Sequence, residues 1–233
     1  VPFAVMMTTP TDLEDFAIGF ALTEGIIGTL SDIRGVAVER AAQGLKVNVT
    51  LAGERMSAHL ARKRVLSGRT GCGLCGVEDL ADLPAARRVA AGARPIDPAA
   101  VAVALRALDQ SQPLNARTRA VHAAAWCDRG GAIVALREDV GRHNALDKLI
   151  GALVRDAVAP GDGFFVITSR CSFEMVAKAV VFGASTLVAL SAPTSLAIER
   201  AAACGITLIA IARADQALIF GEAGPAASRG LAA

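Results

Sequence analysis

Apolar positions recur at two different periods along this chain, and the changes of period mark out its elements. Phe16, Ala17, Phe20 and Ala21 follow Leu13 at helical spacing, as on a helix with one buried face. Thr11-Asp12-Leu13-Glu14 ahead of them reads as a capping box, and Gly25 as the stop. Leu45–Leu51 alternates apolar and polar residues, the period of a half-buried strand, and is expected to pair with Val36–Arg40. Pro2–Thr9 reads as a further strand. Residues 1–60 are thus expected to form a small α+β unit.

From residue 98 onward helix and strand periods alternate. A helix is expected near Ala99–Leu108, then strands at Val121–Cys127 and Ala132–Arg137, and an amphipathic helix from about Gly141. A strand at Phe164–Thr168, a helix at Ser172–Phe182, a strand at Thr186–Leu190, a helix from Thr194 and a strand at Ile206–Ala212 complete the series. Such alternation predicts an α/β domain over 98–233, a mixed or parallel sheet with covering helices. Residues 61–97 break the pattern and read as a glycine-rich loop and linker. No internal repeat or heptad is evident.

Composition narrows the class. With 53% apolar and 20% charged residues the chain is a folded globular protein. A net charge of +2 is too small to argue for nucleic acid or an anionic membrane. Ala179–Ile198 carries no charge and is long enough to span a bilayer, but Gly183, Pro193 and several Ser and Thr cut it into strand- and helix-length pieces. A buried core is expected there. The start, Val1-Pro2-Phe3, has neither a basic region nor a small-residue cleavage site, so no signal peptide is expected. Because it is not Met, residues are expected to precede it. The reading is a soluble, cytoplasmic protein.

The five cysteines do not suggest a disulfide framework. Cys127, Cys171 and Cys204 lie among apolar residues and read as buried small hydrophobes. Cys72 and Cys75 differ: they sit three apart in a run with four glycines, Gly68, Gly71, Gly73 and Gly76, close to Arg69 and the cluster Arg62-Lys63-Arg64. Nearby positive charge favours a thiolate, the nucleophile of sulfur chemistry. Half of a zinc site and a redox pair are the other readings of this spacing. A nucleobase deaminase is disfavoured, since Gly71 replaces the proline of that signature and no His-x-Glu is present.

Two polar clusters follow strands in the second half. Asp139-Val140-Gly141-Arg142-His143-Asn144 turns into a helix that carries Asp147 and Lys148 one turn on. A helix start bearing Arg142, His143 and Asn144 is a natural anion site; a solvated start capped by Asp139 is the plain alternative. Ser169-Arg170-Cys171-Ser172 leads into Phe173-Glu174, where Glu174 and Lys178 form an i,i+4 pair that reads either as a surface salt bridge or as part of a site. Strand ends of open α/β sheets are where ligands bind, so the two clusters together suggest a phosphorylated ligand. Neither is a Walker loop or a dinucleotide fingerprint.

These segments, Gly68–Gly76, His122-Ala123-Ala124-Ala125-Trp126, Glu138–Lys148 and Ser169–Met175, with Met6–Pro10 and Gly19–Gly25, closely resemble the FdhD family in order along nearly the whole chain. The resemblance implies an accessory sulfurtransferase of formate dehydrogenase. On that reading a cysteine desulfurase loads sulfur onto Cys72 or Cys75, and the persulfide sulfurates the metal of a bis-guanine-dinucleotide molybdopterin cofactor. It also implies a homodimer and a cytidine-deaminase-like domain that holds the guanine dinucleotide portions. Arg142, His143, Asn144, Asp147, Lys148, Ser169, Arg170 and Glu174 fall in the family's motifs and are the expected cofactor-binding residues, with no tightly held metal. Cys171 stands where the family often has another small residue; it reads as a third reactive thiol or a buried spectator. The competing reading is a non-catalytic binding chaperone for the cofactor, with a structural or redox cysteine pair.

Overall fold

The computed structural model describes residues 2–53, 88–89, 95–213, 216–221 and 224–226. Helix α1 spans Leu13–Thr23 and is followed by an antiparallel hairpin of β1, Ile33–Ala41, and β2, Gly44–Leu51. Then come α2, Pro98–Leu108, the short α3, Pro113–Thr118, β3, His122–Asp128, β4, Ile133–Asp139, and α4, Arg142–Arg155. The remainder is β5, Gly163–Ile167, α5, Phe173–Phe182, β6, Thr186–Ala189, α6, Ser195–Cys204, β7, Thr207–Ala210, β8, Leu218–Gly221, and β9, Gly224–Ala226.

Seven strands form one mixed sheet in the order β4-β3-β5-β6-β7-β8-β9. The pairs β5·β6 and β6·β7 are parallel, whereas β3 runs antiparallel to both of its neighbours. Successive residues of the central strands face opposite layers. Trp126, Phe165, Ile167, Leu187 and Leu208 join a core with Leu146, Leu149, Met175 and Ala201 of the helices. Cys127, Phe164, Val166, Val188 and Ile209 pack the other face, against Val101, Ala104 and Leu108 of α2. With both faces covered, a strand must be apolar at every position, and all of β5 is buried. Trp126 meets the rings of Phe165 and Phe182 edge-on, at 4.8 and 5.2 Å between centroids. The uncharged run 179–198 is the end of α5, then β6, then the start of α6; no described helix is long and apolar enough to cross a membrane.

Helix α1 lies along α4 at a crossing made of two glycines. A methyl group on Gly19 would fall on the Asp147 carbonyl, and one on Gly151 on the Asp15 carbonyl. The buried Asp15 adds a salt bridge to Arg137 at 2.8 Å and another to Arg155. The end of α1 is thereby fixed against the start of α4.

Two local expectations are corrected. Pro2–Thr9 is not a strand; its polar groups bond to side chains, with the Thr8 hydroxyl and Thr9 N–H donating to Asp139 at 2.7 and 2.9 Å. The Met7 carbonyl accepts from Asn144 and the Thr9 carbonyl from Lys148. No capping box opens α1 either: its first cap is Asp12, with φ of 53° and no capping side-chain bond, 3.7 Å from Arg137.

Candidate functional site

The antiparallel placement of β3 decides where the polar clusters meet. Because β4 and β5 both run against β3, their C-terminal ends lie at one edge of the sheet, beside His122 at the start of β3. Each end leads into a helix, α4 after Asp139 and α5 after Ile167. The two helix starts therefore stand next to one another, with free backbone N–H groups and positive dipole ends toward the same side.

Four polar side-chain atoms here are buried with no hydrogen-bond partner among the described residues: Arg142 Nε, His143 Nε2, Ser172 Oγ and Glu174 Oε2. Buried polar atoms are nearly always partnered, so four orphans at two adjoining helix starts make this the candidate binding place of the described residues. Burial, then the charges of Arg142 and Lys178, push the His143 imidazole down to about 4, against a smaller opposing pull from Glu24. His143 is therefore neutral at physiological pH. His122 is also pushed down, by burial and then by Arg142.

The remaining expected residues divide differently. Lys148 is fully buried and reaches Asp139 at 2.6 Å, the Thr9 carbonyl at 2.9 Å and the Glu138 carbonyl at 3.4 Å. Asn144 donates to the Met7 carbonyl and to Asp139. Burial opposes charge on Asp139, but Lys148, Thr8 and the Gly141 N–H outweigh it and hold the carboxyl below its ordinary range. Lys148 and the Asn144 amide N–H groups are thus spent on the protein, and Asp139, which also accepts from the Gly141 N–H at 2.8 Å, is buried at this half-buried helix start. Asp147 is buried and joined to Lys178 at 2.9 Å and to the Thr23 hydroxyl at 2.7 Å. Ser169 is buried with its hydroxyl on the Arg170 carbonyl, while Arg170 is exposed.

The surface pair Glu174–Lys178 is a further correction. Lys178 is 7% exposed and turns to Asp147, Thr23 and Glu24 instead. The carboxylates, working against burial, hold its ammonium above the ordinary value. Thr23 and Glu24 belong to this cluster and were not among the expected site residues. Their partners lie 124 and 154 positions away, beyond any spacing rule.

Cys72 and Cys75 lie outside the described residues. The other three cysteines are buried. Cys127 and Cys171 are pushed up to about 12, each by burial first and then by a neighbouring carboxylate, Asp128 or Glu174. Burial also raises Cys204, against Arg200 and Arg88. Burial thus disfavours the thiolate of all three, as for a buried small hydrophobe.

A model of the FdhD/NarQ family matches residues 1–225. A protein of Xanthomonas euvesicatoria pv. vesicatoria (strain 85-10) named Sulfur carrier protein FdhD is 49% identical over 220 residues, covering 94% of this chain and 78% of its own. A protein of the same name from Bordetella parapertussis is 47% identical over 220 residues, covering 94% and 80%. A crystal structure from Desulfotalea psychrophila, described as a candidate formate dehydrogenase accessory protein, superposes with a TM-score of 0.66 at 24% identity. It covers 92% of this chain and 79% of its own, a likeness of fold. The chain belongs to the FdhD/NarQ family.

Proposed function

We propose that this protein is a sulfurtransferase that carries sulfur on Cys72 and Cys75 for the activation of formate dehydrogenase. The observation that carries this reading is the division among the five cysteines. Three are buried with raised thiols, which leaves the glycine-flanked pair as the seat of sulfur chemistry in a chain half identical to named sulfur carriers.

In the first step a thiolate of the pair attacks the outer sulfur of a persulfide on a cysteine desulfurase. A new S–S bond forms on this chain and the desulfurase cysteine leaves as thiolate, so no outside oxidant is needed. In the second, the other thiolate attacks the inner sulfur of the loaded cysteine. Hydrosulfide departs toward the substrate metal and a Cys72–Cys75 disulfide remains, which a dithiol reductant reopens. The substrate in this reading is the bis-guanine-dinucleotide molybdopterin cofactor.

The residues at the two helix starts fit the nucleotide portions of that substrate. Arg142 and the helix N–H groups suit phosphate, Ser172 donates or accepts, and Glu174 Oε2 is a buried acceptor without a partner among the described residues. Neutral His143 offers a hydrogen bond without adding charge. The mixed sheet with helices on both faces accords with the deaminase-like plan, and the reading includes a cytoplasmic homodimer. The test is activation of formate dehydrogenase in cells lacking the endogenous factor. Cys72→Ala or Cys75→Ala abolishes it and Cys171→Ala does not; full activation by both of the first two variants rejects sulfur carriage.

A further inference from the structure

The Lys178 ammonium has three N–H donors and three partners: Thr23 Oγ1 at 2.8 Å, Asp147 Oδ2 at 2.9 Å and Glu24 Oε1 at 3.2 Å. The Thr23 hydroxyl accepts from Lys178 and donates its own proton to Asp147 Oδ1 at 2.7 Å. The Phe20 ring covers the ammonium, its centroid 5.9 Å away. With every donor used, Lys178 has none left for a ligand.

Its position gives it another role. Asp147 lies four residues after His143 on α4, and Lys178 lies four residues after Glu174 on α5. Residues four apart share a helix face, and helical side chains lean toward the N-terminus. The Lys178–Asp147 link therefore ties the two helices together one turn behind the orphaned His143 Nε2 and Glu174 Oε2. Thr23 and Glu24 bring the end of α1 into the same knot.

We propose that Lys178 is a positioning residue: by clamping α4 to α5 and to the end of α1, it holds His143 and Glu174 at the spacing one ligand needs. The proposal rests on the reading of these helix starts as the nucleotide-binding site. Lys178 also adds to the lowering of the His143 imidazole, after burial and Arg142. The groups facing that imidazole are Arg142 on its own helix, Lys178 from α5 and Glu24 from the end of α1. Burial first, and then the two cations, keep it neutral against the one carboxylate.

Two readouts separate the clamp from the ligand assignment. Isothermal titration with GDP as the probe compares wild type with Lys178→Met. The variant is expected to bind about tenfold more weakly, the loss of about one well-made hydrogen bond. Imidazole NMR titration is the second readout. His143 stays neutral to below about pH 5 in wild type and takes up its proton at higher pH in the variant, short of an ordinary histidine because burial and Arg142 still oppose the charge. Where the single variant does not fold, Asp147→Asn/Lys178→Met removes both buried charges and carries the same expectations. Wild-type GDP affinity with an unchanged His143 titration in a folded variant overturns the proposal. Absence of GDP binding by wild type rejects the nucleotide reading instead. The histidine titration then decides the clamp: a shifted His143 supports it and an unshifted one overturns it.

Discussion

Two buried lysines one helix apart show how the same chemistry can close one region and open another. Lys148 sits in a cluster whose polar groups are all answered within the chain: Asp139, the Thr9 and Glu138 carbonyls, and nearby Asn144 on the Met7 carbonyl. Lys178 is equally saturated, but the groups one turn ahead of it, His143 Nε2 and Glu174 Oε2, are buried and unanswered among the described residues. The first cluster fastens the segment before α1 to the end of β4. The second borders polar atoms that the described residues leave unpartnered. Burial of a charge alone does not distinguish a strut from a site; the unanswered atoms beside it do.

Breaking the closed cluster should have the largest effect. Lys148→Met leaves Asp139 buried without its cation, and removing one partner of such a pair costs about 3–5 kcal/mol. Denaturant unfolding should show that loss, with GDP affinity per folded molecule unchanged. At the open cluster the loss should move from stability to binding. Arg142→Ala removes an orphan, so unfolding should shift by no more than about 0.5 kcal/mol. GDP affinity should fall by about 1.5–3 kcal/mol, roughly tenfold to a hundredfold, as for hydrogen bonds to charged groups. Equal losses in both variants would erase the distinction between the clusters.

The smallest effect is on pH dependence. His143 is neutral in the folded protein down to about 4, whereas its ordinary value is 6.5. Between those values the unfolded chain binds a proton that the folded one does not, so this residue's contribution to stability falls as pH drops from 6.5 to about 4. His143→Gln should flatten that part of the stability profile, measured by denaturant midpoint against pH. Asp139, whose carboxyl is held low, contributes stability that is present above the ordinary carboxylate range and lost at more acid pH.

Much of the second half was legible in the sequence, because its strands and helices announce themselves by period. Phe164–Thr168 and Thr186–Leu190 were placed nearly residue for residue as β5 and β6. Pro2–Thr9 misled because an apolar run followed by threonines has strand-like composition, while its hydrogen-bond partners are side chains more than a hundred residues away. Glu174 and Lys178 misled in the opposite way: an i,i+4 spacing is a local rule, and Lys178 found a better carboxylate on the neighbouring helix. Thr23 and Glu24 lie in the Gly19–Gly25 segment that resembles the family, but their spacing names no partner. What placed them at the site is the crossing at Gly19 and Gly151, a packing contact that no periodicity encodes.

Sulfur carriage by the glycine-flanked pair, and by no other thiol, is open to direct test. The direct measurement is mass spectrometry of the whole protein and its peptides after incubation with a cysteine desulfurase and cysteine, alongside Cys72→Ala and Cys75→Ala. A one-sulfur adduct is expected on the Cys72–Cys75 peptide, lost in the variant of the loading residue and absent from Cys127, Cys171 and Cys204. No adduct on that peptide, with the desulfurase active on a control acceptor, would contradict it, as would zinc held by the pair through dialysis in place of sulfur.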